Sequence, residues 1–201
     1  MEKEFPRFFV IVPDGLLIDK NKFASLSKNY ISSLNLCFQN IKANDFVLLL
    51  PANSFECNTS EEELAKKYLL NLGLNKNTIF IGNKNYKKYI DTAGNFISIL
   101  KWGFNRVSDK KYFNFNKIFI DGNYSLICSH LHLDRSIICI KYLGLKVPKN
   151  IYSSFAFEDK KIASRLFYYR FPLLRMIYEI FATIYTIIKL KIFKYMGMLN
   201  F

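Results

Sequence analysis

The chain has no Cys-x-x-Cys pair and only two histidines. Its four cysteines, Cys37, Cys57, Cys128 and Cys139, have no metal-ligand spacing with His130 or His132. That argues against a zinc site or a dithiol redox motif, and no metal is expected. Cys128 and Cys139 fall on apolar segments and read as reduced core thiols, which fits a reducing compartment. There is no P-loop and no G-x-G-x-x-G. There is no G-x-S-x-G elbow either, so a triad of Ser129, His132 and Glu61 would lack the turn that usually exposes its serine. The apolar run Phe8 to Val12 is too short for a signal peptide or an anchor. Nowhere do roughly 20 apolar residues run together, as a span needs. The body of the chain is therefore expected to be cytoplasmic.

Acidic residues are few, 16 against 29 lysines and arginines, for a net charge of +13. Such an excess points to an anionic partner: nucleic acid, a membrane surface or a phosphorylated small molecule. The lysines are scattered rather than striped, which also reads as a solvated surface. No nucleic-acid-binding motif is present, so that class ranks last.

What the chain does have is apolar material, 51% of 201 residues. That suits one domain with a sizeable core and argues against disorder. Phe8 to Val12 and Phe46 to Leu50 are continuous apolar runs, the mark of strands buried on both faces. Spacings of three and four from Phe23 through Leu26, Tyr30, Leu34, Cys37 and Phe38 to Ile41 predict an amphipathic helix. Ser60 caps a second helix that starts with Glu61, Glu62 and Glu63, the last at the capping-box position, and stops at Gly73. Thr78 to Ile81 is a third strand. Phe96, Ile99 and Leu100 predict another helix with Gly103 as a stop. Lys117 to Ile120 and Tyr124 to Cys128 read as strands, either a hairpin or an edge strand before the main one. Lys146 to Tyr152 reads as a last strand. The alternation predicts an α/β fold: a three-layer, Rossmann-like domain over 1–155 with a mainly parallel sheet. A C-terminal helical tail covers 156–201.

The most informative stretch runs from Ile127 to Gly144. A strand ends, Ser129-His130-Leu131-His132 makes a short turn, and a helix follows with Arg135 in its first turn. Strand C-termini meeting helix N-termini are where α/β proteins bind ligands, and free amides favour an anion there. An arginine in a first helical turn opposes the helix dipole, so a ligand or an acidic partner explains it better than helix stability does.

Three segments in order carry a resemblance. Ser60-Glu61 opens one helix, Thr92-Ala93-Gly94-Asn95 opens the next, and Ser129-x-x-His132-x-x-Arg135-Ser136 opens a third after a strand. Their order and spacing resemble the YdcF/SanA/ElyC family over roughly Phe8 to Tyr152. Glu62 stands where that pattern has Ala, Cys128 where it has Thr, and Ser136 where it has Ala. The resemblance, closest to the soluble YdcF type, implies a Rossmann-like domain with a pocket at the strand C-termini. It also implies cell-envelope or surface-polysaccharide metabolism, and S-adenosylmethionine as one possible ligand. It brings no settled reaction, so an enzyme and a binding protein both stay open.

On such a fold Glu61, Thr92, Asn95, Ser129, His132 and Arg135 converge on one crevice, with Asp14 at the end of the first strand beside them. Arg135 suits a phosphate or carboxylate, and Ser129 would complete the anion site. His132 suits a donor or general acid/base. Glu61 suits a sugar hydroxyl, the orientation of His132, or a pair with Arg135. The bland reading makes Glu61, Thr92 and Asn95 ordinary helix-start residues. The expected ligand is an anionic small molecule, nucleotide-like, S-adenosylmethionine-like or a sugar phosphate. The tail has two readings: a helix packed on the sheet, or an interfacial helix peripheral to the inner face of the membrane. In the second, Arg165, Arg170, Arg175, Lys189, Lys191 and Lys194 would turn towards lipid headgroups, and the protein would be a non-enzymatic regulator sensing a lipid-linked precursor.

Overall fold

The computed structural model describes residues 6–18, 23–52, 59–82, 91–105, 116–156 and 171–197. Five parallel strands form the central sheet: β1 (Phe8–Ile11), β4 (Phe46–Leu49), β5 (Ile79–Ile81), β6 (Tyr124–Ser129) and β7 (Asn150–Ser154). Their spatial order is β5-β4-β1-β6-β7. A small antiparallel hairpin, β2 (Leu16–Ile18) with β3 (Ala24–Leu26), follows β1. The helices are α1 (Lys28–Asn40), α2 (Glu61–Asn71), α3 (Thr92–Asn105), α4 (Leu133–Tyr142) and α5 (Pro172–Tyr195).

The strand side chains alternate between two cores. Phe9, Ile11, Val47, Leu49 and Ile127 face α1 and α2, joined by Tyr30, Leu34, Cys37, Ala65 and Leu69. Phe8, Val10, Val12, Leu48 and Leu126 face the other way, against Phe96, Ile99, Cys139, Ile140 and Leu190 of α3, α4 and α5. This is the expected three-layer, Rossmann-like α/β architecture. Both faces of the sheet are covered, which is why its strands read as unbroken apolar runs.

Several local expectations are corrected. Phe23 and Leu26 do not belong to α1. Leu26 pairs with Leu16 in the hairpin, and Phe23 is 72% exposed. The helix starts later because Ser27 caps it, its Oγ accepting from Tyr30 N at 3.1 Å. Gly103 does not stop α3, which runs on to Asn105. Lys117 to Ile120 is no strand but part of a π-helical turn, Asn116–Ile120. Ile118 and Phe119 still reach the core, and the Phe119 and Tyr124 rings lie 5.0 Å apart. Gly122, at φ +72°, turns the chain from that coil into β6. The last strand begins at Asn150 rather than Lys146. Lys146 N and Lys149 N instead donate to Phe119 O and Gly122 O, binding that stretch to the turn before β6. Residues 53–58, Cys57 among them, 83–90 and 106–115 lie outside the described residues.

The chain passes from β1 to β4 and β5 on one side, then returns to β6 and β7 on the other. The order therefore reverses between β1 and β6. In open α/β sheets the crevice at the C-terminal ends of the two strands at such a reversal is the usual ligand position.

Candidate ligand site at the strand reversal

The parallel register pairs Ile11 with Ile127, and Val12 N adds one more bond, to Ile127 O at 2.9 Å. Pro13 carries no N–H, so pairing stops and the chain turns through Asp14 and Gly15 (φ +93°). On the neighbouring strand Ser129 ends β6, and His130–His132 forms one turn of 3-10 helix before α4. His132 and Arg135 are three residues apart and therefore share a face. Both are buried, as are Asp14 and Ser129, whereas His130 and Asp134 are exposed.

Helix α5 closes the crevice. Arg175 and Glu179, one helical turn apart, both point inward. Arg175 is only 2% exposed. Its Nη2 donates to Asp14 Oδ1 at 2.7 Å and to Ser129 Oγ at 3.1 Å. The Glu179 carboxylate lies 2.8 Å from His132 Nε2 and 3.0 Å from Arg135 Nη2. His132 Nε2 is also 3.5 Å from Asp14 Oδ1. Burial alone would raise the Glu179 carboxyl. His132, by charge and hydrogen bond, then Arg135 and Arg175, outweigh it and hold the group below the ordinary carboxylate range. The acidic partner that Arg135 needed in a first helical turn is thus Glu179.

The cluster holds two carboxylates and two guanidinium groups, so it is neutral when His132 is neutral. His132 Nε2 meets competing demands. Glu179 Oε1 asks it for a proton, while Arg135 Nη2, at 2.8 Å, offers one. One nitrogen cannot both donate to Glu179 and accept from Arg135, so the two contacts compete for Nε2. Nδ1 has no hydrogen-bond partner among the described residues. A buried imidazole with an open nitrogen suits proton transfer to or from a ligand.

The remaining expected site residues divide. Glu61 reaches the same end of β1: its Oε2 accepts from Gly15 N at 2.9 Å. Burial first, and then the charges of Asp14 and Glu62, raise its carboxyl from the ordinary 4.5 to about 8, against the lowering effect of the Gly15 bond. At neutral pH this acid is largely protonated. The role of pairing with His132 and Arg135 is filled by Glu179, not Glu61. Thr92 and Asn95 belong to another corner. Asp91 caps α3, accepting from Gly94 N at 2.9 Å. With its amide oriented to satisfy both atoms, Asn95 Nδ2 donates to Pro51 O at 2.8 Å and Asp91 O at 3.0 Å, tying α3 to the end of β4. Thr92 is buried in the first turn of that helix. The expected crevice therefore assembles Asp14, Ser129, His132 and Arg135, with Glu61 beside them and Thr92 and Asn95 at the β4 corner.

Three further residues belong to the site. Arg175 and Glu179 come from the tail, and Arg175 faces Asp14 rather than a headgroup. Lys189 likewise turns inward, its Nζ 2.5 Å from Asp91 Oδ2. In sequence the first pair shows only as opposite charges four residues apart, with no sign of which way they face. The third is Glu62, fully buried, whose Oε2 accepts from Ala52 N at 3.2 Å just past β4. Cys37, Cys128 and Cys139 are buried free thiols, each pushed up to about 12 mainly by burial, and so unreactive. Among the described residues no group of His, Cys, Asp and Glu is arranged to hold a metal ion. Comparison of the chain with protein-family models, curated proteins and solved structures gives no match.

Proposed function

We propose that the protein binds an anionic small molecule at the reversal between β1 and β6, as a cytoplasmic, YdcF-like protein of envelope or surface-polysaccharide metabolism. One observation carries this reading: His132 and Arg135, at the strand reversal, already grip a carboxylate, that of Glu179. The geometry that holds this internal acid suits a ligand carboxylate or phosphate oxygen equally well. The neutral charge count sets a condition. A ligand bearing one negative charge is matched when the Glu179 carboxylate gives way to it.

Glu62 supports a nucleoside or sugar beside the anionic group. It lies in the first turn of α2 with its carboxylate at the end of β4, and Rossmann-like proteins hold ribose hydroxyls with an acid at the end of their second strand. S-adenosylmethionine, if bound here, would set its carboxylate at Arg135 and its ribose at Glu62 and would supply a methyl group for transfer. In an enzymatic version His132 moves the proton and Arg135 orients the anion.

The test is a thermal-shift panel of S-adenosylmethionine, nucleotides, nucleotide sugars, sugar phosphates and inorganic phosphate. It is run on the wild type, His132→Ala, Arg135→Ala and Glu179→Gln. A ligand at about 100 times its dissociation constant adds roughly 2.7 kcal/mol. The expected pattern is a shift in the wild type, lost in the first two variants and enlarged in Glu179→Gln, which removes the competing charge. No shift in any of the four proteins, or a shift indifferent to all three substitutions, overturns the proposal.

A further inference from the structure

Helix α5 presents the wrong face to the protein. Its buried residues are Arg175, Glu179, Thr186 and Leu190, three of them polar or charged. Its outward face is apolar. Of the eighteen exposed large hydrophobic residues among those described, thirteen lie between Phe171 and Met196. They include Leu173, Ile177, Ile180, Phe181, Ile184 and Ile188. An apolar face of this size, running the length of 24 residues or about 36 Å, calls for a covering partner.

Three features say what covers it. The first is charge. Glu179 is the only acidic residue of the helix and it is buried, so no acid lies on the outward face, while Lys191 and Lys194 are exposed there. A second copy of the chain would bring +13 to +13; an anionic lipid surface complements that charge and the two lysines. The second is width. At 100° per residue the exposed positions span roughly 200° of the helix circumference, far more than the narrow seam of a helix pair and suited to a plane. The third is length against polarity. No helix among the described residues is long and apolar enough to cross a membrane, which leaves α5 lying along a surface rather than passing through it.

We propose that α5 is an interfacial membrane-docking helix. Its outward apolar face sits at the headgroup–acyl boundary of a bilayer rich in anionic lipid, while its inward charges stay in the protein. Only Lys191 and Lys194, of the helix's four basic residues, face the headgroups. Tyr185 and Tyr195, both exposed, belong at the same level, with an apolar ring and a wet hydroxyl.

Co-sedimentation of the full chain with vesicles tests this. One set contains phosphatidylglycerol mixed with phosphatidylcholine, the other phosphatidylcholine alone. The expected result is binding to the anionic set at about 50 mM salt that weakens as salt screens the headgroups. Ile184→Glu with Ile188→Glu, both at exposed positions, should cut binding by roughly tenfold or more. Lys191→Glu with Lys194→Glu should cut it by roughly fivefold per lysine. Phe38→Ser, at an exposed apolar position on α1, should bind as the wild type does, which ties binding to α5 rather than to exposed apolar surface at large. Failure to sediment with anionic vesicles at low salt, or binding unchanged in both double variants, overturns the proposal. So does a dimer by analytical ultracentrifugation that Ile184→Glu with Ile188→Glu converts to monomer while vesicles bind neither form. That outcome would assign the face to a second copy.

Discussion

Helix α1 lies against the sheet and α5 against α4 and α3, and the two hold on by opposite means. α1 buries Tyr30, Leu34 and Cys37 against Phe9 and Ile11. Its attachment is removal of apolar surface from water, non-directional and tolerant of small shifts. α5 buries a guanidinium, a carboxylate and a threonine hydroxyl, with Leu190 as its one large apolar residue fully inside. Its attachment is charge pairing in a low-dielectric interior, which is costly to break and strict in geometry. An outward apolar face can therefore coexist with a secure inner one. In α5 the usual division between core and surface is replaced by a division between protein and partner.

The comparison can be broken most sharply at Arg175. Arg175→Ala leaves the buried Asp14 carboxylate without this partner and should cost about 3–5 kcal/mol, read by urea unfolding. Replacing Arg175 and Asp14 together by Met and Leu should restore most of that loss, because the penalty lies in the stranded charge rather than in the missing contact. Leu34→Ala in α1 should cost about 2–5 kcal/mol by leaving a cavity, and no second substitution of similar kind should rescue it. A smaller effect belongs to Glu61, which tests the polar crevice against the apolar core by pH. Its carboxyl titrates at about 8 in the folded protein and near 4.5 when unfolded. The folded state thus binds the extra proton between those values, and stability falls as pH rises across that window. Glu61→Gln should remove this fall, a gain of a few kcal/mol at pH 9 and little at pH 4. Least affected should be Ile188→Ser on the outer face, within about 0.5 kcal/mol in lipid-free solution.

Much of the fold was legible because fully buried parallel strands leave continuous apolar runs. Phe8 to Val12 and Phe46 to Leu50 needed no further context. The capping box at Ser60 was equally local, with Glu63 Oε2 accepting from Ser60 N at 3.4 Å. The failures arose where tertiary contacts override local pattern. Phe23 and Leu26 fit the helical period of α1, yet Ser27 captures the N-terminus and leaves them to a hairpin. Ile118 and Phe119 have strand-like chemistry but reach the core from a coiled turn. For the site, Asp14, Ser129, His132 and Arg135 were readable because strand ends and helix starts announce themselves in sequence. Their partners were not. Glu179 lies 44 residues from Arg135, and Arg175 lies 161 from Asp14. Nothing local tells an inward arginine in an apolar helix from one that faces a headgroup. Glu62 was hidden differently: locally it reads only as one of three acids in the first turn of α2.

The two inward charges of α5 also act as the teeth of a key. A slip of one turn along the helix axis, about 5.4 Å, would bring Glu179 to the place of Arg175 and set one carboxylate against that of Asp14. The same slip would offer Thr183 to His132 and Arg135 in place of an acid. Neither arrangement is tolerable in a dry interior, so no graded series of intermediate positions is open to the helix. α5 is seated in one register or lifted clear of the crevice, and any signal that reaches it from outside must be answered all at once.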